Sequence, residues 1–111
     1  MTGGDYRPSM TGEQPFRMRV HRSGAEVLVA VSDADLVGKL FREDGRRLDV
    51  RAEFYGTDGA DAPDVIRHLR GCTIANLVGV ATVTLAIQHG LVNPDMILDI
   101  GGVPHAQLCT S

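Results

Sequence analysis

"TIANLVGVATVTLAIQHG", residues 73–90, lies within an uncharged run from Gly71 to Pro94, and how it folds decides the architecture of the chain. Its apolar residues recur at helical spacing: Ile74, Leu77, Val78, Ala81 and Leu85 form one stripe, and Ala75, Gly79, Thr82 and Ala86 form a ridge of small side chains. This spacing predicts a long helix over Ile74–His89, with Thr73 as its N-cap and Gly90 beyond its C-terminus. Asn76, Thr82, Thr84, Gln88 and His89 interrupt the run, so its apolar part is too short to span a membrane. A helix apolar around most of its circumference must be covered on several sides. Either the rest of the chain buries it, or a second copy docks on it and makes a homodimer through Ile74–His89.

Outward from this stretch, "FRMRVH" alternates Phe16, Met18 and Val20 with Arg17, Arg19 and His21, the two-residue period of a strand with one face in the core. "RSGA" is a turn and "EVLVAV" a more central strand, so the two make a hairpin. "SDAD" suggests a capped helical turn that Gly38 ends. A second hairpin follows, Leu40–Arg42 and Arg46–Val50 around "EDG", with Leu48 and Val50 facing inward. Pro63 opens a short helix whose Val65, Ile66 and Leu69 share a face, and Gly71 stops it. "NPDM" is a turn and "ILDI" the last strand. The expectation is an α+β fold, a two-layer α/β sandwich with a mainly antiparallel sheet of about four to five strands packed against one long and one short helix. Residues 1–15, polar and rich in turn formers, read as a flexible tail ahead of a single domain over residues 16–111.

Composition narrows the function classes. The chain has 111 residues and a formal charge of −3, which argues against a generally basic nucleic-acid binder. The charge is uneven, however. Residues 16–51 carry eight basic and six acidic side chains, whereas residues 52–111 carry two basic and six acidic ones. The basic residues are almost all Arg, which a GC-rich genome explains and which also suits phosphate contacts. Cys72 and Cys109 form neither a disulfide framework nor a zinc-ligand pattern. No metal and no cofactor are expected, and free thiols fit a cytoplasmic protein.

The densest cluster of special residues is "GGVPHAQ", residues 101–107. Gly101 and Gly102 can turn successive N–H groups toward an anion, and Pro104 stiffens the segment. His105 then offers an acid, base or hydrogen-bonding group, and Gln107 an amide. The plainer reading is a strand-terminating turn, because these residues cluster in turns for backbone reasons alone. The loop has neither the Walker nor the dinucleotide-fingerprint spacing. Asn76 and Thr73, near the start of the predicted helix, read as capping groups or as an anion site. His21, His68 and His89 look like isolated surface or helix-end residues, and Phe54 and Tyr55 like core aromatics that could also stack on a ring.

Three longer segments, "VHRSGAEVLVAVSDADLVGKLFREDGRRLDVRAEFYG", "TIANLVGVATVTLAIQHGLVN" and "ILDIGGVPHAQ", resemble in order and spacing an archaeal family of small conserved proteins, the domain of unknown function numbered four-two-four. The resemblance covers about Met18 to Gln107 and rests on the joint order of "RSG", "LVGK", "EFYG", "IANLVG" and "GGVPHAQ". Members begin close to Met18, so the preceding tail departs from the pattern, and Ser32 stands where many relatives have Cys. The resemblance implies a compact two-layer sandwich in an archaeal cytosol and carries no catalytic residue. It tilts the expectation toward translation and RNA-linked processes.

Two functional readings remain open. One is a binding or adaptor module for RNA or a ribosomal particle, with Arg17, Arg19, Arg47 and Arg51 on the outer strand faces and the 101–107 loop as a second contact. The other is a small enzyme or anion and small-ligand binder, in which Gly101, Gly102, Pro104, His105 and Gln107 work with Asn76; it requires a concave pocket holding His105 near Asn76 or Glu53.

Overall fold

The computed structural model describes residues 14–109, so the expected tail lies outside the described residues apart from Gln14 and Pro15. The fold is α+β. Strands β1 (Phe16–Ser23) and β2 (Glu26–Asp33) are followed by a 3-10 turn at Ala34–Leu36 and the hairpin β3 (Leu40–Glu43) and β4 (Arg46–Asp49). Next come α1 (Ala52–Tyr55), β5 (Gly59–Ala60), α2 (Ala62–Arg70), β6 (Ile74–Val78) and α3 (Val80–Gln88). A second 3-10 turn at Pro94–Met96 leads into β7 (Leu98–Ile100) and β8 (Val103–Cys109). Six strands form one sheet in the order β5-β1-β2-β6-β8-β7, and β3 and β4 form a separate two-stranded sheet. The main sheet is antiparallel except at its centre, where β2 and β6 run parallel.

The expected long helix is the main correction. Ile74–Val78 is a central strand, and only Val80–Gln88 is helical. A central strand with a parallel neighbour is buried on both faces, so it reads as a nearly continuous apolar run that periodicity cannot tell from a buried helix. Gly79 makes the break, with a φ of 108° closed to other residues. A homodimer through a helix at Ile74–His89 therefore loses its basis, because the first five residues of that stretch are a strand inside the sheet. Thr73 caps no helix either. Its hydroxyl accepts from Val27 N at 2.9 Å and donates to Val27 O at 3.1 Å, which ties the start of β6 to the start of β2. "ILDI" is not the last strand, since the chain turns at Gly101–Gly102 and returns as β8.

The two sheet faces are covered differently, so the architecture goes beyond two layers. Phe16, Val29, Val31, Ala75, Leu77 and Ala106 pack in one core with Val65 and Leu69 of α2 and Val83 and Ala86 of α3. On the opposite face Ala30, Val78, Ile100 and Val103 pack against Leu48, Val50 and Tyr55 of the hairpin and α1. The shorter hairpin is sharply turned, as "EDG" suggests, with Asp44 and Gly45 both at positive φ. Leu48 and Val50 face inward as the alternation predicts. Helix α2 starts at an Asp61 cap that accepts from Asp64 N at 3.0 Å, with Pro63 in its first turn.

Helix α3 is anchored from another element. The Asp33 carboxylate at the end of β2 accepts from Ala81 N at 3.1 Å and from Thr82 N and Thr82 Oγ1 at 2.8 Å each. A Cβ on Gly79 would collide with that carboxylate. Asp33→Ala is expected to lower stability by about 1–2 kcal/mol, the range of a lost helix cap, and Gly79→Ala by more, because it adds backbone strain to the collision. The double variant should lose less than the sum of the two, since removing the carboxylate removes the collision. Urea unfolding midpoints of the four proteins test this.

Candidate functional site

The pairing register determines which polar side chains share a face. Arg19 is opposite Ala30, Ala30 pairs with Asn76, and Asn76 pairs with Gln107. One row further along, Arg17, Ser32, Val78 and His105 line up in the same way. Because side chains alternate along each strand, Arg17, Arg19, Asn76, His105 and Gln107 all belong to the face that carries the hairpin and α1. The hairpin and α1 cover only part of it. Between their overhang and strands β6 and β8 lies an open depression of about 510 Å³, lined by Leu48, Asp49, Arg51, Glu53, Phe54, Tyr55, Asn76 and His105. Its volume is in the range of small-molecule sites.

Three neutral polar groups meet there. Tyr55 is 5% exposed, and Asn76 and His105 are half-buried. Among the described residues, none of the Tyr55 hydroxyl, the Asn76 amide and the His105 imidazole has a hydrogen-bond partner in the protein. Burial pushes the Tyr55 phenol up to about 12 and His105 below its ordinary value, so both are uncharged at neutral pH. Leu48 and Phe54 supply apolar surface, and the exposed Arg51–Glu53 pair, 3.7 Å apart, is part of the lining. The site offers hydrogen bonds in neutral form beside an aromatic ring.

The other expected site residues are dispersed. Gly101 and Gly102, at φ 61° and 85°, form the two-residue turn between β7 and β8. The Gly101 N–H expected to meet an external anion donates instead to Glu43 Oε1 at 2.7 Å, fastening the hairpin to this turn. Gly102 and Pro104 line a different hollow, beside Asp33 and Val80. Asn76, expected near a helix start, is in the middle of a strand. Gln107 is exposed on the sheet face. The four arginines do not converge. Arg17 Nη1 donates to the carbonyls of Gln14 and Phe16, Arg19 is exposed on β1, Arg47 pairs with Asp49 at 3.5 Å, and Arg51 lines the depression.

His21 is the residue that sequence reasoning missed. Its Nε2–H donates to the Phe54 carbonyl at 2.8 Å, and its ring stacks on Phe54 with centroids 5.0 Å apart and planes 21° from parallel. It thereby holds α1 and the Phe54 ring in place. The only hint in the sequence is the outward phase of His21 in "FRMRVH". His68 and His89 bond back to carbonyls of their own helices and take no part in the site.

Folding lowers the proton affinity of His105 relative to an ordinary value of 6.5. The unfolded chain then binds the proton more tightly, so this residue's stability contribution is complete above about 6.5 and is lost as pH falls through its lower folded value. His105→Gln should flatten that part of the pH dependence, read as urea midpoints between pH 7 and pH 5. In the native protein, the His105 Cε1 proton should titrate with a midpoint below 6.5 by NMR.

No curated protein matches the chain. Among solved structures, the crystal structure of an uncharacterized conserved protein from Methanopyrus kandleri is similar, with a TM-score of 0.68 and 25% identity over 86% of this chain and 93% of that one. The family model described as "Protein of unknown function (DUF424)" matches residues 21–110. The chain thus belongs to the DUF424 family, in agreement with the resemblance read from its motifs.

Proposed function

We propose that this protein is a binding module whose site is the depression under α1, and that it takes an uncharged, planar, polar molecule such as a nucleobase-type heterocycle. The observation that carries this reading is the meeting of the Tyr55 hydroxyl, the Asn76 amide and the neutral His105 ring beside Phe54, all without a protein hydrogen-bond partner among the described residues. Of the three, Tyr55 is the buried one, and a buried polar group left unpaired costs about 1–3 kcal/mol, which a ligand with a matching acceptor recovers. Phe54 provides a ring to stack on, and the amide presents a donor and an acceptor side by side, the arrangement that reads the edge of a base. Asp49 and Glu53 in the lining disfavour a bare anion, so the reading departs from an anion held by the Gly101–Gly102 turn.

The binding reading gives His105 a hydrogen-bonding role and needs no proton transfer. An RNA surface built from Arg17, Arg19, Arg47 and Arg51 together is less well supported, because these side chains are divided between β1 and the hairpin region, and two of them have acidic partners. The feature that keeps RNA in view is narrower: Arg17 and Arg19 share the sheet face with Asn76 and His105.

Amide chemical-shift titration of the labelled protein with a panel of free nucleosides tests the proposal. Saturable shifts at Leu48, Tyr55, Asn76 and His105 are expected. Asn76→Ala should weaken binding about tenfold, the equivalent of ~1.4 kcal/mol. Binding should also weaken as pH falls and His105 takes up a proton. Silence of these residues across the panel overturns the reading. Salt-sensitive shifts confined to the arginines on adding a structured RNA would replace it with the electrostatic one.

A further inference from the structure

The depression is not alone on its sheet face. A second hollow, of about 260 Å³, is lined by His21, Arg22, Ser23, Glu26, Leu28 and Ile74. His21, Leu28 and Ile74 form a single register row, two residues along the strands from the Arg19, Ala30 and Asn76 row of the first site. Adjacent rows on one face are about 7 Å apart, twice the rise of a strand residue. The two hollows are also linked through one stacked pair of rings: Phe54 lines the first, His21 lines the second, and they lie 5.0 Å apart, 21° from parallel.

We infer that the two hollows are successive subsites for a ligand made of two planar heterocycles joined by a short anionic linker, as in a dinucleoside phosphate unit, with one ring seated on each side of the His21–Phe54 pair. The inference rests on the nucleobase reading of the first hollow and extends it. The second hollow suits a ring because Leu28 and Ile74 give it an apolar floor and His21 an aromatic wall. The linker lies outside both hollows, since Glu26 in one and Asp49 and Glu53 in the other repel an anion. Arg19, exposed, without an ion-pair partner among the described residues and two residues from His21 on the same face, is the cation available to that linker.

Titration with a nucleoside, the matching dinucleoside monophosphate and an eight-nucleotide single strand tests this. The nucleoside is expected to shift only the first hollow. The dinucleoside should add shifts at Ser23, Leu28 and Ile74 and bind at least tenfold more tightly. Ile74→Glu should abolish that gain while leaving nucleoside binding as it was. Arg19→Glu, at an exposed position where folding is not at stake, should reduce the gain in a salt-dependent way. Equal affinity for nucleoside and dinucleoside, or a gain that survives both substitutions, overturns the two-subsite inference while the single-pocket reading stands. Failure of the nucleoside itself to bind the first hollow overturns both. Where the dinucleoside gain is present, an eight-nucleotide strand that binds tighter still identifies a single strand as the source of the unit, and equal affinity identifies a free dinucleotide.

Discussion

The Asp33 carboxylate at the N-terminus of α3 is the contact on which the rest of the molecule depends. It gathers two backbone N–H groups and the Thr82 hydroxyl at the place where the positive end of the helix favours a negative charge. Asp33 ends β2 and α3 follows β6, so the same contact clamps the parallel pair at the centre of the sheet. It also dictates Gly79, the one residue type that leaves room for the carboxylate and tolerates the backbone angle. Gly79 N donates in turn to Pro104 O at 2.9 Å, which continues the β6–β8 ladder past Val78 and His105. The placement of the candidate site residues follows from this joint.

The site itself arises from incomplete coverage. A sheet with helices on one face needs a second apolar layer on the other, and a four-residue helix with a short hairpin covers only part of it. The cover is fixed at two points, by Glu43 on the Gly101 amide and by His21 on the Phe54 carbonyl. What lies open between cover and sheet joins three uncharged polar groups, of Tyr55, Asn76 and His105, to the apolar surface of Leu48 and Phe54, with Asp49, Arg51 and Glu53 also in the lining. A face lined by a neutral imidazole, an amide and a phenol suits recognition by hydrogen bonds and stacking better than capture of a charge. "GGVPHAQ" is accordingly both a turn and a contributor to the candidate site. Its glycines make the hairpin and engage Glu43, and the strand after them carries His105 to the pocket and Gln107 to the same face.

Much of the fold was legible from local pattern. The β1–β2 hairpin, the sharp turn at Asp44–Gly45, the inward Leu48 and Val50 and the start of α2 around Pro63 all follow from alternation and turn chemistry over a few residues. The family was legible too, because short motifs in a set order identify it. Residues 73–90 were misread because helical spacing and a buried strand share the same apolar residues over five positions. Asn76 then read as a capping group, and the second use of the 101–107 segment as a paired strand stayed hidden behind its turn residues.

By itself, the sequence determined the class of the fold, the local turns and the family, since each depends on neighbours within a few residues or on motif order. Only the tertiary structure decided that Ile74–Val78 is a strand, because that choice depends on β2 offering it a parallel partner and on Asp33 reaching the next helix, more than forty positions away in the chain. It alone decided the site as well. Tyr55, Asn76 and His105 come from three separate elements, and no spacing along the chain encodes their meeting on one side of a sheet.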